Sequence, residues 1–183
     1  MYRRLPGWAL ALRLTGAAAA VWGLVPRGTP SFGGPFAMHA ADGALVTDAA
    51  LRGAPFVVLF GFTRCGTVCP LTMTRLVRLR RALPRGDTLK VLFVSVDPED
   101  TPEDVARFVA SFPLPGVGLT GSAEERTRMM EAYRVFATGR GQALSHTGTV
   151  FLVGPKGEPR GIVSPEDSDE AALAKLRGLF HGR

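Results

Sequence analysis

The chain has 183 residues, of which 46% are hydrophobic and 21% are charged. This length and composition are typical of one globular domain with an additional segment, and they exclude a disordered chain. The formal charge of +6 makes nucleic acid a partner to consider, but no aromatic residues are interleaved with the basic stretches. Because base stacking needs such aromatic residues, we expect no nucleic-acid partner.

The first 25 residues have the pattern of a signal sequence or membrane anchor. Arg3 and Arg4 precede the mostly apolar stretch from Leu5 to Val25, and positive charge before about 20 apolar residues is typical of such segments. Arg13 interrupts the stretch, so the sequence leaves open whether the segment is cleaved or retained. The Pro- and Gly-containing stretch 26–34 then predicts a linker, and residues 35–183 form the predicted domain.

From residue 35 onward, apolar runs alternate with helical patterns. Asp42-Gly43 between two short apolar runs predicts a β-hairpin, and one helical turn follows at 48–51. Further strands are predicted at 56–62, 89–96, 117–120, 149–153 and 159–163. Helices are predicted at 70–83, 102–112, 122–136 and 169–179. This order predicts an α/β, thioredoxin-like fold, in which a mixed sheet is flanked by helices on both faces.

Local signals support the helix starts. Pro70 suits the first turn of a helix, Thr101 suits an N-cap before Pro102, and Ser122 with Glu125 forms a capping-box pattern.

In the first long helix the spacing predicts one face buried and one face exposed. The apolar residues Leu71, Leu76, Val77 and Leu79 are expected to face the core. Arg75, Arg78, Arg80 and Arg81 are expected to face solvent.

The two cysteines, Cys65 and Cys69, are the most informative feature of the sequence. They stand four residues apart between a predicted buried strand and a predicted helix, which suggests a metal site, a redox pair or a disulfide staple. A disulfide that closes so short a loop stabilises a fold little, which argues against the staple. Because a helix start lowers the pKa of a thiol, we expect thiolates at neutral pH, which both bind soft metals and attack disulfides.

Three histidines are candidates for a third metal ligand. His181 lies near the end of the chain and His39 in the predicted hairpin, and we expect both to be exposed. His146 lies between a Gly-bearing loop and a predicted strand, 77 residues after Cys69. The spacing alone does not decide whether the fold brings His146 to the cysteines.

Several motifs, in this order, resemble the SCO/SenC family. They are FGFTRCGTVCP at 60–70, FVSVDPEDTPE at 93–103, GLTG at 118–121 and HTGTVFLVGPKG at 146–157. The resemblance covers about residues 33–162. It differs from the usual pattern at Gly66-Thr67, where the family has acidic character, and at Ser145, where many members carry an acidic residue.

The resemblance implies a thioredoxin-like domain tethered to the cell membrane, with its soluble part on the periplasmic or other extracytoplasmic side. It implies that one copper ion is bound by Cys65, Cys69 and His146, with Asp97 near the site but not a ligand. Two thiolates and an imidazole also suit Cu(I) chemically, and they can hold Cu(II) with a further ligand.

In function, the resemblance implies a copper-binding assembly factor. Such a protein delivers copper to the CuA subunit of cytochrome c oxidase, reduces the cysteines of that centre, or does both, and it exchanges copper with other periplasmic copper carriers. The membrane is a further partner, through the N-terminal segment.

Two enzymatic alternatives remain open. One is a thiol–disulfide oxidoreductase that acts on exported proteins without copper delivery and uses Cys65 and Cys69 as its catalytic pair. The other is a peroxidase with Cys65 as nucleophile beside Arg64, a chemistry that the second cysteine fits poorly. We expect a metallochaperone rather than an enzyme, because disulfide exchange does not need the distant His146.

Overall fold

The computed structural model of the chain describes residues 32–136 and 148–181. Seven strands lie within these ranges: β1 Ala37–Ala40, β2 Leu45–Thr47, β3 Phe56–Gly61, β4 Lys90–Ser95, β5 Gly116–Thr120, β6 Val150–Val153 and β7 Pro159–Val163. The α-helices in the same ranges are α1 Asp48–Leu51, α2 Val68–Arg81, α3 Pro102–Ala110, α4 Ala123–Ala132 and α5 Asp169–Arg177. Short 3-10 turns lie at Gly86–Thr88 and Gly178–Phe180. The predicted anchor, most of the predicted linker and His146 lie outside the described residues.

The strands form one mixed sheet in the order β2-β1-β5-β4-β3-β6-β7. Strands β3, β4 and β5 are parallel, whereas β6 pairs antiparallel with β3 and β1 pairs antiparallel with β5. Each parallel step is crossed by a helix, as the predicted alternation requires. The predicted mixed α/β fold is thereby confirmed.

Helices cover both faces of the sheet. On one face, Cys69 of α2 lies over Gly61 of β3, and Val105 of α3 lies over Gly118 of β5. Helix α5 contacts α2 and therefore belongs to the same layer. Helix α4 follows β5 and ends at the opposite face, where Tyr133, directly after the helix, belongs to a separate aromatic cluster.

That aromatic cluster consists of Phe32, Phe60, Tyr133 and Phe151. The ring centroids that are in contact lie between 5.1 and 5.9 Å apart. Phe60 points away from the face of Gly61 because successive side chains alternate along a strand. Phe32 falls in the predicted linker, so the packed structure already includes this residue.

Local signals set several element boundaries as predicted. Ser122 and Glu125 form a reciprocal capping box, and Thr101 accepts a hydrogen bond from the backbone N–H of Asp104. In the hairpin turn, Gly43 has a φ of +80°, a conformation that glycine adopts without strain. The hairpin and both caps are confirmed.

Helix α2 begins at Val68 rather than at the predicted residue 70, so Cys69 lies in its first turn. The expectation that Leu71 faces the core is wrong, because its side chain is 64% exposed. Cys69, Met73 and Leu76 define the buried face at spacings of four and seven, and Leu71 stands about 200° around the helix from Cys69. The other predicted core residues of this helix are buried.

Arg75 is also wrongly predicted to be solvated, since its side chain is only 19% exposed. It donates from Nε to Asp169 at 2.9 Å and from Nη1 to the carbonyl of Ser164 at 3.2 Å, and it also bonds the carbonyl of Asp167. Helix α5 therefore docks on α2 through this arginine.

Helix α4 ends at Ala132, before the predicted end at residue 136. Tyr133 is buried beyond the helix end, whereas the side chain of Phe136 is 86% exposed. Within the described parts of the chain, no helix is both long and apolar enough to cross a lipid bilayer.

Candidate metal and thiol site

Cys65 and Cys69 lie at the carboxyl end of β3, where the chain turns into α2. The backbone N–H of Cys65 donates to the carbonyl of Phe62 at 3.2 Å. Four residues later, in the first turn of α2, the backbone N–H of Cys69 donates to Sγ of Cys65 at 3.3 Å. Both cysteines thus belong to one turn at the edge of the sheet where ligand sites of α/β folds lie.

The two cysteines differ in burial. Cys65 keeps 8% of its surface exposed, whereas Cys69 is fully buried. Burial raises the pKa of the Cys69 thiol, and a hydrogen bond from the backbone of Phe62 only partly offsets this effect. The expected thiolate at neutral pH is therefore wrong for Cys69 without a metal, because desolvation outweighs the helix start.

Gly61 provides the space that Cys69 occupies. A Cβ atom at this position would lie 2.6 Å from Sγ of Cys69 and 2.7 Å from the ring of Phe93. Any larger residue would displace the cysteine or the ring. Gly61 escaped the sequence analysis, although a glycine that ends a buried apolar run is a usable signal of close packing.

An acidic loop between β4 and α3, residues 96–101, lies beside the cysteines. Nη2 of Arg64 contacts Oδ2 of Asp97 at 2.8 Å and Oε2 of Glu99 at 3.0 Å. Asp97 is fully buried, and its Oδ1 accepts the backbone N–H of Glu99 at 3.0 Å. Burial alone would raise the pKa of Asp97, but the hydrogen bonds from Arg64 and from the backbone lower it overall.

A second contact with the same loop involves Thr63. Its backbone N–H and its Oγ1 donate to the two carboxylate oxygens of Asp100, at 2.9 and 2.6 Å. Ser95, at the end of β4, donates to the same carboxylate at 2.7 Å. The two residues that precede Cys65 are thus both tied to the β4–α3 loop. Sequence reasoning identified Asp97 but missed the pairing of Thr63 with Asp100.

Two of the three candidate histidines lie in the described residues, and neither is placed at the cysteines by its element. His39 is on β1, three strands from β3, which corresponds to about 14 Å. Its Nδ1 lies 3.9 Å from Oε1 of Glu125. His181 follows α5, and its Nδ1 lies 2.8 Å from the carbonyl of Arg177.

His146 itself lies outside the described residues, but Gly148 is described. A Cβ atom at Gly148 would lie 2.9 Å from Cγ1 of Val68 and 3.0 Å from Oγ1 of Thr72. The chain two residues after His146 is therefore packed directly on the first turns of α2, next to Cys69.

Comparison with known proteins decides the family. The SCO1/SenC family model matches residues 25–181. The chain belongs to the SCO1/SenC family. It is 36% identical over 141 residues to the human protein "SCO1 homolog, mitochondrial", a match that covers 72% of this chain and 47% of the human protein. This chain spans about half or less of the length of the first curated relatives that it matches.

Solved structures of SCO proteins share the fold. The copper-bound ScoI of Bradyrhizobium japonicum is 30% identical, with a TM-score of 0.70, and the match covers 81% of this chain and 99% of that one. Copper-bound Sco1 of yeast is 27% identical, with a TM-score of 0.73, and the match covers 80% of this chain and 87% of that one. The thioredoxin-like fold implied by the sequence motifs is thereby confirmed.

Proposed function

We propose that this SCO1/SenC protein is a copper-binding assembly factor whose Cys65, Cys69 and His146 bind one copper ion. The observation that carries the proposal is the contact between the backbone N–H of Cys69 and Sγ of Cys65, which keeps two sulfur ligands in one turn. The copper bound to the related Bradyrhizobium and yeast proteins supports the same chemistry.

The donor set fits copper. Thiolates and imidazole are soft and borderline ligands that favour Cu(I) over the hard divalent ions. Burial of Cys69 raises the pKa of its thiol and keeps it protonated in the metal-free protein. Because a cysteine binds a metal ion as the thiolate, copper binding is expected to release this proton. A site with three protein ligands also leaves a position open for a ligand from a partner.

The short separation in sequence between His146 and Gly148 supports His146 as the third ligand. Two residues span at most about 7 Å when fully extended, so the Cα atom of His146 stays within that distance of Gly148. Gly148 packs on Val68, the direct neighbour of Cys69. His39, by contrast, is held about 14 Å away by three strand spacings.

The proposed partner is the CuA subunit of cytochrome c oxidase, with other periplasmic copper carriers as sources of the ion. Residues 1–25 would either anchor the chain in the cell membrane or direct its export. Residues 26–34 would link this segment to the domain at 35–183, which would face the periplasmic or extracytoplasmic side. Cys65 is the ligand that a partner can approach, because Cys69 is fully buried.

The same two cysteines support a second activity, the reduction of a disulfide in the partner. Cys65 would lose its proton, and its Sγ would attack one partner sulfur and release the other as a thiolate that takes up a proton. Cys69 would then lose its proton and attack Sγ of Cys65, which breaks the mixed disulfide and releases the first partner sulfur as a thiolate that also takes up a proton. Two electrons thus pass to the partner, and a Cys65–Cys69 disulfide forms. The difference in exposure between the two cysteines favours this order of attack.

One titration tests the proposal. The purified full chain, reduced, should take up one Cu(I) per chain, and Cys65→Ala or Cys69→Ala should each weaken binding at least about tenfold. A count of thiols in an oxidised CuA domain, mixed with the metal-free protein, then separates reduction from delivery. Unchanged partner disulfides after mixing would exclude the reductase activity, and unchanged Cu(I) affinity in both cysteine variants would exclude the copper site.

A further inference from the structure

Arg64 is the direct neighbour of Cys65 and forms two ion pairs beside the site. One nitrogen, Nη2, lies 2.8 Å from Asp97 and 3.0 Å from Glu99. Its side chain is 42% exposed, whereas the carboxylate of Asp97 is fully buried. The guanidinium thus lies between the buried carboxylate of Asp97 and the solvent. Removing the guanidinium would leave this carboxylate buried without a cationic partner.

The consequence for Cys65 follows from the covalent chain. Residues 62–66, here called the Cys65 arm, contact the β4–α3 loop through two residues: Thr63 bonds Asp100, and Arg64 contacts Asp97 and Glu99. On its other side, the arm contacts α2 through the hydrogen bond from Cys69 N–H to Sγ of Cys65. A shift of Arg64 would therefore be transmitted to the sulfur through a single peptide unit.

We propose that Arg64 is a positioning residue. It holds the Cys65 arm against the β4–α3 loop, so that Sγ of Cys65 stays within hydrogen-bond distance of the backbone N–H of Cys69. Arg64 does not touch the ion in this arrangement and acts only through Cys65. The expected effect on copper affinity rests on the proposed function, but the effect on the metal-free arm does not.

Amide hydrogen exchange of the metal-free protein tests the positioning directly. In Arg64→Ala, the exchange of the backbone N–H groups of Cys65 and Cys69 should rise on the order of tenfold, because one of the two side chains that fix the arm to the β4–α3 loop is lost. Arg78→Ala is the matched control, since Arg78 also forms a 2.8 Å ion pair, with Asp169, but away from the cysteines. Its cysteine amides should exchange as in the wild type.

Two further variants separate positioning from general stability. The double variant Arg64→Ala/Asp97→Asn removes the unpaired buried charge that Arg64→Ala leaves on Asp97. Its free energy of unfolding should therefore recover relative to Arg64→Ala, while the backbone N–H groups of Cys65 and Cys69 should still exchange rapidly. Arg64→Lys keeps the charge and should restore part of the protection. Unchanged cysteine amides in Arg64→Ala, or an equal rise at all amides of the chain, would overturn the proposal.

Copper binding supplies a second readout. Cu(I) affinity should fall on the order of tenfold in Arg64→Ala and stay unchanged in Arg78→Ala. If Cys65→Ala itself leaves copper affinity unchanged, the proposed function fails, and the exchange measurement still decides whether Arg64 positions the arm.

Discussion

The backbone N–H of Cys69, in the first turn of α2, donates at 3.3 Å to Sγ of Cys65, which lies four residues earlier and before the helix. This contact depends on three features of the fold. Strand β3 ends at a glycine that leaves room for Cys69, the β4–α3 loop holds the residues before Cys65, and α2 begins early enough to include Cys69. The thiol pair is therefore built by the end of the central strand rather than by its own short loop alone.

The space at Gly61 yields the first prediction. Gly61→Ala should lower the free energy of unfolding by about 1–3 kcal/mol, because the new methyl group overlaps Sγ of Cys69 and the ring of Phe93. Chemical denaturation of the metal-free protein measures the change. Gly66→Ala is the control, since a Cβ atom there meets nothing within 4 Å. Equal stability of the two variants would show that the packing at Gly61 is not tight.

The raised pKa of Cys69 predicts a loss of stability in alkali. Above about pH 8.5 the thiol ionises in the unfolded chain but stays protonated in the folded one, so the unfolded state binds fewer protons. Stability should therefore be fully present below that pH and should fall as pH rises, by up to about 1.4 kcal/mol per pH unit.

Denaturation of the metal-free protein between pH 8 and 10 checks this slope. Cys69→Ala should flatten it, because the variant has no thiol at this position. Tyr133, whose pKa is also raised by burial, contributes only at higher pH. A slope that is the same in wild type and variant would mean that Cys69 is not the group responsible.

The docking of α5 on α2 is tested through Arg75. Arg75→Ala should cost about 2 kcal/mol of unfolding free energy, because charged hydrogen bonds to Asp169 and Ser164 are lost from a mostly buried position. Arg78→Ala should cost less than about 0.5 kcal/mol, since Arg78 is 64% exposed and shares only the partner Asp169. Thermal unfolding of the two variants side by side would reveal the difference, and equal melting temperatures would contradict it.

Elements with local signals could be predicted from the sequence. The turn at Asp42-Gly43 and the caps at Thr101 and Ser122 depend on a few adjacent residues, and the structure has all three where the sequence placed them. The burial of Arg75 could not be predicted in this way, because it arises from α5, which lies some 90 residues further along the chain.

In the candidate site, too, some features could be predicted from local sequence and others depend on the assembled fold. Its motif residues were visible in sequence, but the raised pKa of Cys69 depends on desolvation by the assembled core. The contact between Arg64 and Asp97 depends on β3 and β4 being parallel neighbours, so that the loops after both strands meet at one edge. That adjacency is a property of the whole sheet, and no local pattern encodes it.

Competition for Cu(I) between the protein and a chelator, in the wild type, in His146→Ala and in His39→Ala, tests the central claim most directly. The copper-site proposal predicts that His146→Ala lowers Cu(I) affinity at least about tenfold, while His39→Ala stays within about twofold of the wild type. Equal affinities of the wild type and His146→Ala would contradict the three-ligand site.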